Sequence, residues 1–397
     1  MFGAIYIGLS GLDAYSRGLE QVSNNVTNLN TSGFKGSTVN FQNYFGTADG
    51  GGLSHTVDTR GAGNGVGIGD QLLNLKQGEL RTTDRDLDLA VDGTGFLVLL
   101  DGDRTLYTRT GSFEVDKDGY IVLSGTDYRL ATLSASNQPV SLTIDGMRNS
   151  PPHKTTTIKL ADNLSSTTAD PVSVSDIKVY DAAGTLHVWK VTFTKNTDQN
   201  AETGSWKIAI IDDKGSAVGS AGAVKFDAAG LIDPLSSTMT VSDTASGLSV
   251  TLDMTGVTSF SGGTTSQLRL GSTDGYALGT LATVSINEKG QIELGYSNSQ
   301  KTVLGSVALA DFRDVDGLKQ KSGGLFEYEG NGERLLAVSD DPRVGQVLGK
   351  RIEASNVDLS KEFGDLILIQ RGFQASSQII SVSNDMIQQL FGIRGQG

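Results

Sequence analysis

No cysteine occurs anywhere in the 397 residues, which excludes disulfides, thiol catalysis and thiolate metal sites and is compatible with an oxidising exterior. Proline is nearly as scarce. The six prolines (Pro139, Pro151, Pro152, Pro171, Pro234 and Pro342) leave both ends of the chain free of the strongest helix breaker. Charged residues make up only 19%, and 32 basic against 45 acidic side chains give a net charge of −13. That balance argues against nucleic acid or an anionic membrane as the main partner. The longest purely aliphatic run, Leu366-Ile367-Leu368-Ile369, falls far short of the ~20 residues that cross a bilayer, so no membrane insertion is expected. No basic residue precedes Arg17 and no short apolar core with a cleavage site is present, so an ordinary secretory signal is not expected either. If the protein is exported, the uncleaved chain itself carries the address.

What the chain does have is a pair of apolar stripes at its two ends. Ile5, Leu12, Leu19 and Val26 recur every seventh residue, interleaved with Tyr15, Val22 and Leu29. Leu359, Leu366, Phe373, Ile380 and Ile387 keep the same period at the other end. Such spacing puts one apolar stripe on a helix, and a period of seven favours coiling against a second helix. About 330 residues separate the stripes, so folding or assembly must pair them, not a hairpin. Gly8, Gly11 and Gly18 each cost the first helix about 1 kcal/mol relative to Ala, so packing must stabilise it. The sequence predicts that this helix ends near Asn30, at Thr31-Ser32-Gly33, and is disordered in the free monomer. Charges cancel within each arm, and the polar faces are Ser-, Asn- and Gln-rich, which suits close packing in a crowded array. An apolar stripe is more often ordinary core, but here the polar body offers no large apolar surface to receive two helices. Neutral arms on an acidic body read as a construction unit that pairs with copies of itself.

Between the arms the pattern is β. Residues 46–70 are Gly-rich and read as an extended connector. Strands follow, with Leu87, Leu89 and Val91 and then Phe96 and Val98 at period two. Five hairpins share one turn, an Asp or Asn followed three places later by Gly: Asp116–Gly119, Asp181–Gly184, Asp212–Gly215, Asp227–Gly230 and Asn287–Gly290. A Thr- and Ser-rich segment from about Ser150 to Asp274 holds both tryptophans, Trp189 and Trp206. The expected fold is mainly β with helical termini, as nested discontinuous β-domains (barrel- or sandwich-like) inserted between coiled-coil helices. Its expected parts are 1–30 with 356–397 as a helical assembly domain, 31–70 as connector, 71–145 with 276–355 as an inner β-domain and 146–275 as an outer one.

Candidates for chemistry do not rise above simpler readings. Asp116-Lys117-Asp118-Gly119 lacks the remaining ligands of a calcium loop and reads as a turn. His55, His153 and His187 accompany no nucleophile-elbow motif and read as structural or surface groups. The alternating Gly61, Gly63, Gly65, Gly67 and Gly69 have no strand-then-helix context and no following Lys-Ser/Thr, so a nucleotide site is not expected. Asp84, Asp86 and Asp88 are expected on the wet face of a strand, and Asp212 and Asp213 in a turn. No catalytic, cofactor-binding or metal-ligating residue is therefore assigned. A β-rich secreted enzyme or adhesin with amphipathic ends is the competing class, and it predicts a monomer that binds or turns over a ligand.

Longer motifs carry a resemblance. Ser10-Gly11-Leu12-Asp13-Ala14, with Val22-Ser23-Asn24-Asn25-Val26-Thr27-Asn28-Leu29-Asn30-Thr31-Ser32-Gly33-Phe34-Lys35, resembles the N-terminal signature of bacterial flagellar rod and hook subunits. Ser355-Asn356-Val357-Asp358-Leu359-Ser360-Lys361-Glu362-Phe363, then Gln370-Arg371 and Phe373-Gln374-Ala375-Ser376-Ser377, is similar to the other end of that family. Gly93-Thr94-Gly95-Phe96 and Tyr107-Thr108-Arg109-Thr110-Gly111-Ser112-Phe113 continue it, and Val179-Tyr180-Asp181 and Asp274-Gly275-Tyr276-Ala277-Leu278-Gly279-Thr280 look like its hook members. Arg351, in Gly349-Lys350-Arg351-Ile352-Glu353, departs from the apolar residue usual there. The resemblance implies a non-catalytic subunit of a curved, flexible, extracellular tube, a universal joint passing torque from rod to filament. Its terminal helices would line an export channel, with the β-domains outside. Implied partners are further copies of the chain, the distal rod, the hook–filament junction proteins, the hook cap and the flagellar export apparatus.

Overall fold

Absence of proline from the chain ends is matched by two long helices, α1 (Phe2–Thr27) and α2 (Leu359–Arg394), with β-structure between them. The computed structural model describes residues 2–43, 65–69, 72–168, 171–198, 204–244, 246–330 and 332–394. Most of the Gly-rich connector, His55 included, lies outside these residues. α1 stops at Thr27, three residues before the expected end, in turns closed by Asn28 N–H to Asn24 C=O and Leu29 N–H to Val26 C=O. Gly33, at φ 70°, then turns the chain away.

Two compact units are present, one of Met1–Asp145, Val284–Glu293 and Val303–Gly397, the other of Gly146–Thr283 and Leu294–Thr302. In the first unit the strand Phe96–Asp101 lies within one large mixed-order sheet, paired antiparallel with Arg104–Thr108, Arg129–Leu133 and Ala308–Phe312. It buries both faces. Leu97 and Leu99 join an apolar cluster with Leu89, Phe113 and Leu309, while Phe96 and Val98 join another with Tyr107, Phe312 and Phe326. The period-two reading of this segment therefore gave the strand but only half of its burial, because a strand covered on both sides is a continuous apolar run.

The second unit holds two four-stranded sheets. One orders Thr238–Asp243, Leu248–Thr258, Thr157–Asn163 and Arg269–Thr273, and the other Val172–Tyr180, Leu186–Lys195, Ser205–Ile211 and Gly222–Lys225. Both tryptophans are buried in the core the sheets share.

All five expected turns form. In each, the Gly N–H bonds the Asp or Asn carbonyl at 2.9–3.2 Å, and the Gly sits at φ 67–83°. The side-chain oxygen accepts from backbone N–H groups further round the turn, as Asp212 does from Lys214 and Ser216. Asp88 departs from expectation. It opens the strand Asp88–Asp92 with a buried side chain whose nearest cation is Arg85 at 3.7 Å, while Asp84 stays exposed. Asp88 stands opposite Ser112 of the neighbouring strand, at the paired start of the ladder and not on a solvent-facing edge.

Candidate functional site

The two helices pack antiparallel. Residue numbers fall on α2 as they rise on α1: Gly8 meets Ile380, Gly11 meets Ser376, Tyr15 meets Gly372, Gly18 meets Ile369, and Asn25 meets Glu362. On α2 the buried positions are Glu362, Ile369, Ser376 and Ser383, one in every seven residues. On α1 they are Gly8, Gly11, Ala14, Gly18, Gln21, Val22 and Asn25. This is a close seam of small residues. A Cβ at Gly11 would stand 2.5 Å from Ser376 Oγ, one at Gly8 2.7 Å from Ile380 Cγ1, and one at Gly372 would clash with the Tyr15 ring. The glycines that look like helix defects are thus the residues that let the helices touch.

The expected stripe residues sit largely beside this seam. Val22 is buried. Ile5, Leu12, Tyr15, Val26, Leu29, Leu366, Ile380 and Ile387 are half-buried, and Leu19, Leu359 and Phe373 are exposed. The seven-residue period holds, but the seam that folding uses is offset from the stripe. Since α1 has a partner within its own chain, the expectation of a disordered free monomer loses its premise.

A polar clamp closes the wide end of the seam. Asn25 Nδ2 donates to the Ser37 carbonyl at 2.8 Å and to both Glu362 carboxylate oxygens at 3.1 Å, and Asn25 Oδ1 accepts from Ser37 N–H at 3.1 Å. Gln21 Nε2 donates to Ser37 Oγ. Asn356 ties the chain entering α2 to the one leaving α1, accepting from Gly36 N–H at 2.9 Å and donating to the carbonyls of Asn74 and Lys76. Burial, reinforced by Asp365 and Asp358, raises the Glu362 pKa above its ordinary 4.5 against the opposing Asn25 bond and Lys361. A carboxyl raised in the folded state contributes stability while protonated and loses it as pH rises through the raised value. Helix melting followed by circular dichroism should therefore fall in the wild type as pH rises above the carboxyl's ordinary 4.5. Glu362→Gln should flatten that slope, and an unchanged slope would show that Glu362 does not set it.

Beneath the clamp three charges meet in a dry site. Lys35 Nζ lies 2.6 Å from Glu353 Oε1, and Arg109 Nε 3.2 Å from Glu353 Oε2, with all three side chains at most 1% exposed. Two cations share one carboxylate, and backbone carbonyls satisfy the rest: Lys35 donates to Lys76 at 2.7 Å, and Arg109 to Gly93 at 2.6 Å and to Gly95. Gly78 N–H donates to Glu353 at 2.7 Å, and the Arg109 guanidinium lies over the Phe96 ring at 5.4 Å. Burial pulls the Lys35 and Arg109 pKa values down, and Glu353 opposes it in both. This triad joins the segment after α1, the sheet and the segment before α2. The sequence hid it, although Lys35 and Arg109 fall within segments that resemble the rod and hook family and Glu353 closes Gly349-Lys350-Arg351-Ile352-Glu353.

Among the described residues no three His, Asp or Glu converge as a metal site. His153 stacks on Tyr276 and His187 lies 3.5 Å from Asp181, both in structural settings. A groove of 860 Å³ beside α1 is lined by amides and hydroxyls such as Gln21, Asn24, Asn28 and Thr31.

Comparison with known proteins gives a consistent set of likenesses. Residues 5–35 match the family described as Flagella basal body rod protein, 90–170 the Flagellar hook protein FlgE/F/G D1 domain, 149–276 the Flagellar basal body protein FlaE D2 domain, and 349–393 the Flagellar basal body rod FlgEFG protein C-terminal. Flagellar hook protein FlgE of Salmonella typhimurium is 28% identical over 419 residues, covering 97% of this chain and 98% of that one. Its counterpart from Treponema pallidum is 26% identical over 465 residues, covering 99% of this chain and 100% of that one. A crystal structure of Helicobacter pylori flagellar hook protein FlgE2 is 13% identical with a TM-score of 0.45, covering 69% of this chain and 99% of that one.

Proposed function

Because this chain belongs to the bacterial flagellar rod and hook family, we propose that it polymerises through its two arms into the curved, flexible tube of the hook. It is a structural, non-catalytic hook subunit. In our assignment of labour residues 1–30 with 356–397 assemble, 31–70 connect, and 71–145 with 276–355 and 146–275 form two β-domains, although 276–283 and 294–302 cluster with the second compact unit. Ile5, Leu12, Tyr15, Leu19, Val22, Val26, Leu29, Leu359, Leu366, Phe373, Ile380 and Ile387 belong to the assembling arms. The partners are other copies of the chain, with the distal rod, the junction proteins and the cap at the tube's ends. The export apparatus delivers the chain outside the cell without a cleaved signal.

One observation carries this reading. The α1–α2 seam is rich in small and polar side chains around a few apolar ones such as Val22 and Ile369, yet large apolar groups remain on the outside of both helices, among them Leu9 (53% exposed) and Leu368 (68%). A monomer gains nothing from an exposed apolar helix surface, whereas an array buries it. Electron microscopy of the concentrated protein should reveal tubes. A stable monomer that binds or turns over a ligand would instead favour a secreted enzyme or adhesin.

A further inference from the structure

Several stretches of chain meet at Glu353. Its carboxylate holds Lys35, from the segment after α1, and Arg109, from the sheet, and accepts from Gly78 N–H. Its own N–H donates to Thr110 Oγ1 at 3.1 Å, and its carbonyl accepts from Gly33 N–H at 2.8 Å. The charges do not balance. Arg109 and Glu353 make a neutral pair by themselves, so Lys35 is a surplus cation in a site at most 1% exposed. Burial lowers the Lys35 pKa, Glu353 opposes that, and repulsion from Arg109 adds to it.

The surplus makes the two end segments unequal. With residues 33–37 withdrawn, Arg109 and Glu353 still satisfy each other. With residues 353–356 withdrawn, Lys35 and Arg109 face each other without an anion, which a dry site penalises heavily. The backbone bonds run in the same direction. Glu353 N–H donates to Thr110 and Ala354 N–H to the Glu79 carbonyl at 2.9 Å, so neither relies on residues 33–37. Gly33 N–H, by contrast, donates to the Glu353 carbonyl, and Gly36 N–H to Asn356 Oδ1 at 2.9 Å. The reverse bond, from Asn356 N–H to the Phe34 carbonyl, is long at 3.4 Å.

We infer that residues 33–37 are a releasable strap laid over an already seated segment 353–356. The C-terminal segment docks on the sheet by itself, whereas the strap docks only on that segment and leaves first. The base of α1 is then free to shift while the base of α2 stays fixed. This order belongs to the folded chain and holds whether or not the chain polymerises.

Native-state hydrogen exchange of the full wild-type chain tests the order directly. The Gly33 and Gly36 amides should exchange about tenfold or more faster than those of Glu353 and Ala354. Equal protection of all four would mean that the segments open together and would overturn the strap. Two variants push on each side separately. Lys35→Glu sets a second carboxylate against Glu353, so Gly33 and Gly36 should lose protection while Glu353 and Ala354, still held through Arg109, keep theirs. Glu353→Gln removes the only anion of the triad and should expose all four amides. Exposure of Glu353 and Ala354 in Lys35→Glu as great as that of Gly33 would contradict the order. So would Gly33 and Gly36 that stay protected in Glu353→Gln. The wild-type comparison decides the matter even if neither variant folds.

Discussion

Glu353→Ala is expected to destabilise the first unit by about 3–5 kcal/mol, the usual cost of removing one partner from a buried ion pair. Here the loss leaves two cations, Lys35 and Arg109, facing each other without an anion in a site at most 1% exposed. It also frees the Gly78 N–H from its acceptor. Glu353→Gln should be nearly as severe, because it keeps the shape but not the charge. Both tryptophans lie in the second unit, which supplies an internal control. In urea titrations the tryptophan transition should stay in place while the far-ultraviolet signal of helices and sheet shifts to lower denaturant. A common shift of both would mean that the two units unfold as one, and no shift of either would refute the triad's role.

Leu19→Glu is expected to abolish tube formation while leaving both units folded. Leu19 is 40% exposed, so the monomer tolerates the charge. At an apolar contact between copies the same carboxylate is buried without a partner. Taking ~3 kcal/mol for that burial, the concentration needed to assemble rises on the order of 100-fold. Sedimentation should find monomers with unchanged circular dichroism. Gly11→Leu should also block assembly, for a different reason: its side chain collides with Ser376, the helices separate and helical signal falls. Tubes formed by Leu19→Glu at ordinary concentration would remove α1's exposed apolar side chains from the account.

The helices, their period and the five hairpin turns were legible because each depends on residues within one or two turns of chain. Asp212 and Gly215 specify their turn whatever surrounds it, and they form it. Which side of a helix meets its partner was not legible. Hydrophobicity ranks Leu12 and Leu19 above Gly11 and Gly18, yet close approach of two backbones selects the small residues and leaves the large ones for other contacts. Asp88 was misplaced for a related reason: alternation along one strand does not reveal what covers it. The Lys35–Arg109–Glu353 triad lay furthest from reach. Its members stand in three segments up to 318 residues apart, and nothing local distinguishes a buried lysine from an exposed one until the chain has closed around it.

A helical reconstruction of the assembled tube by electron cryomicroscopy tests the central claim most directly, that two distant ends of the chain are one split assembly module. The account predicts α1 and α2 of each chain antiparallel at the inner wall, Gly11 against Ser376, with the β-units outside. A tube whose wall is built by β-unit contacts, with the helices separated or on the outer surface, would contradict it.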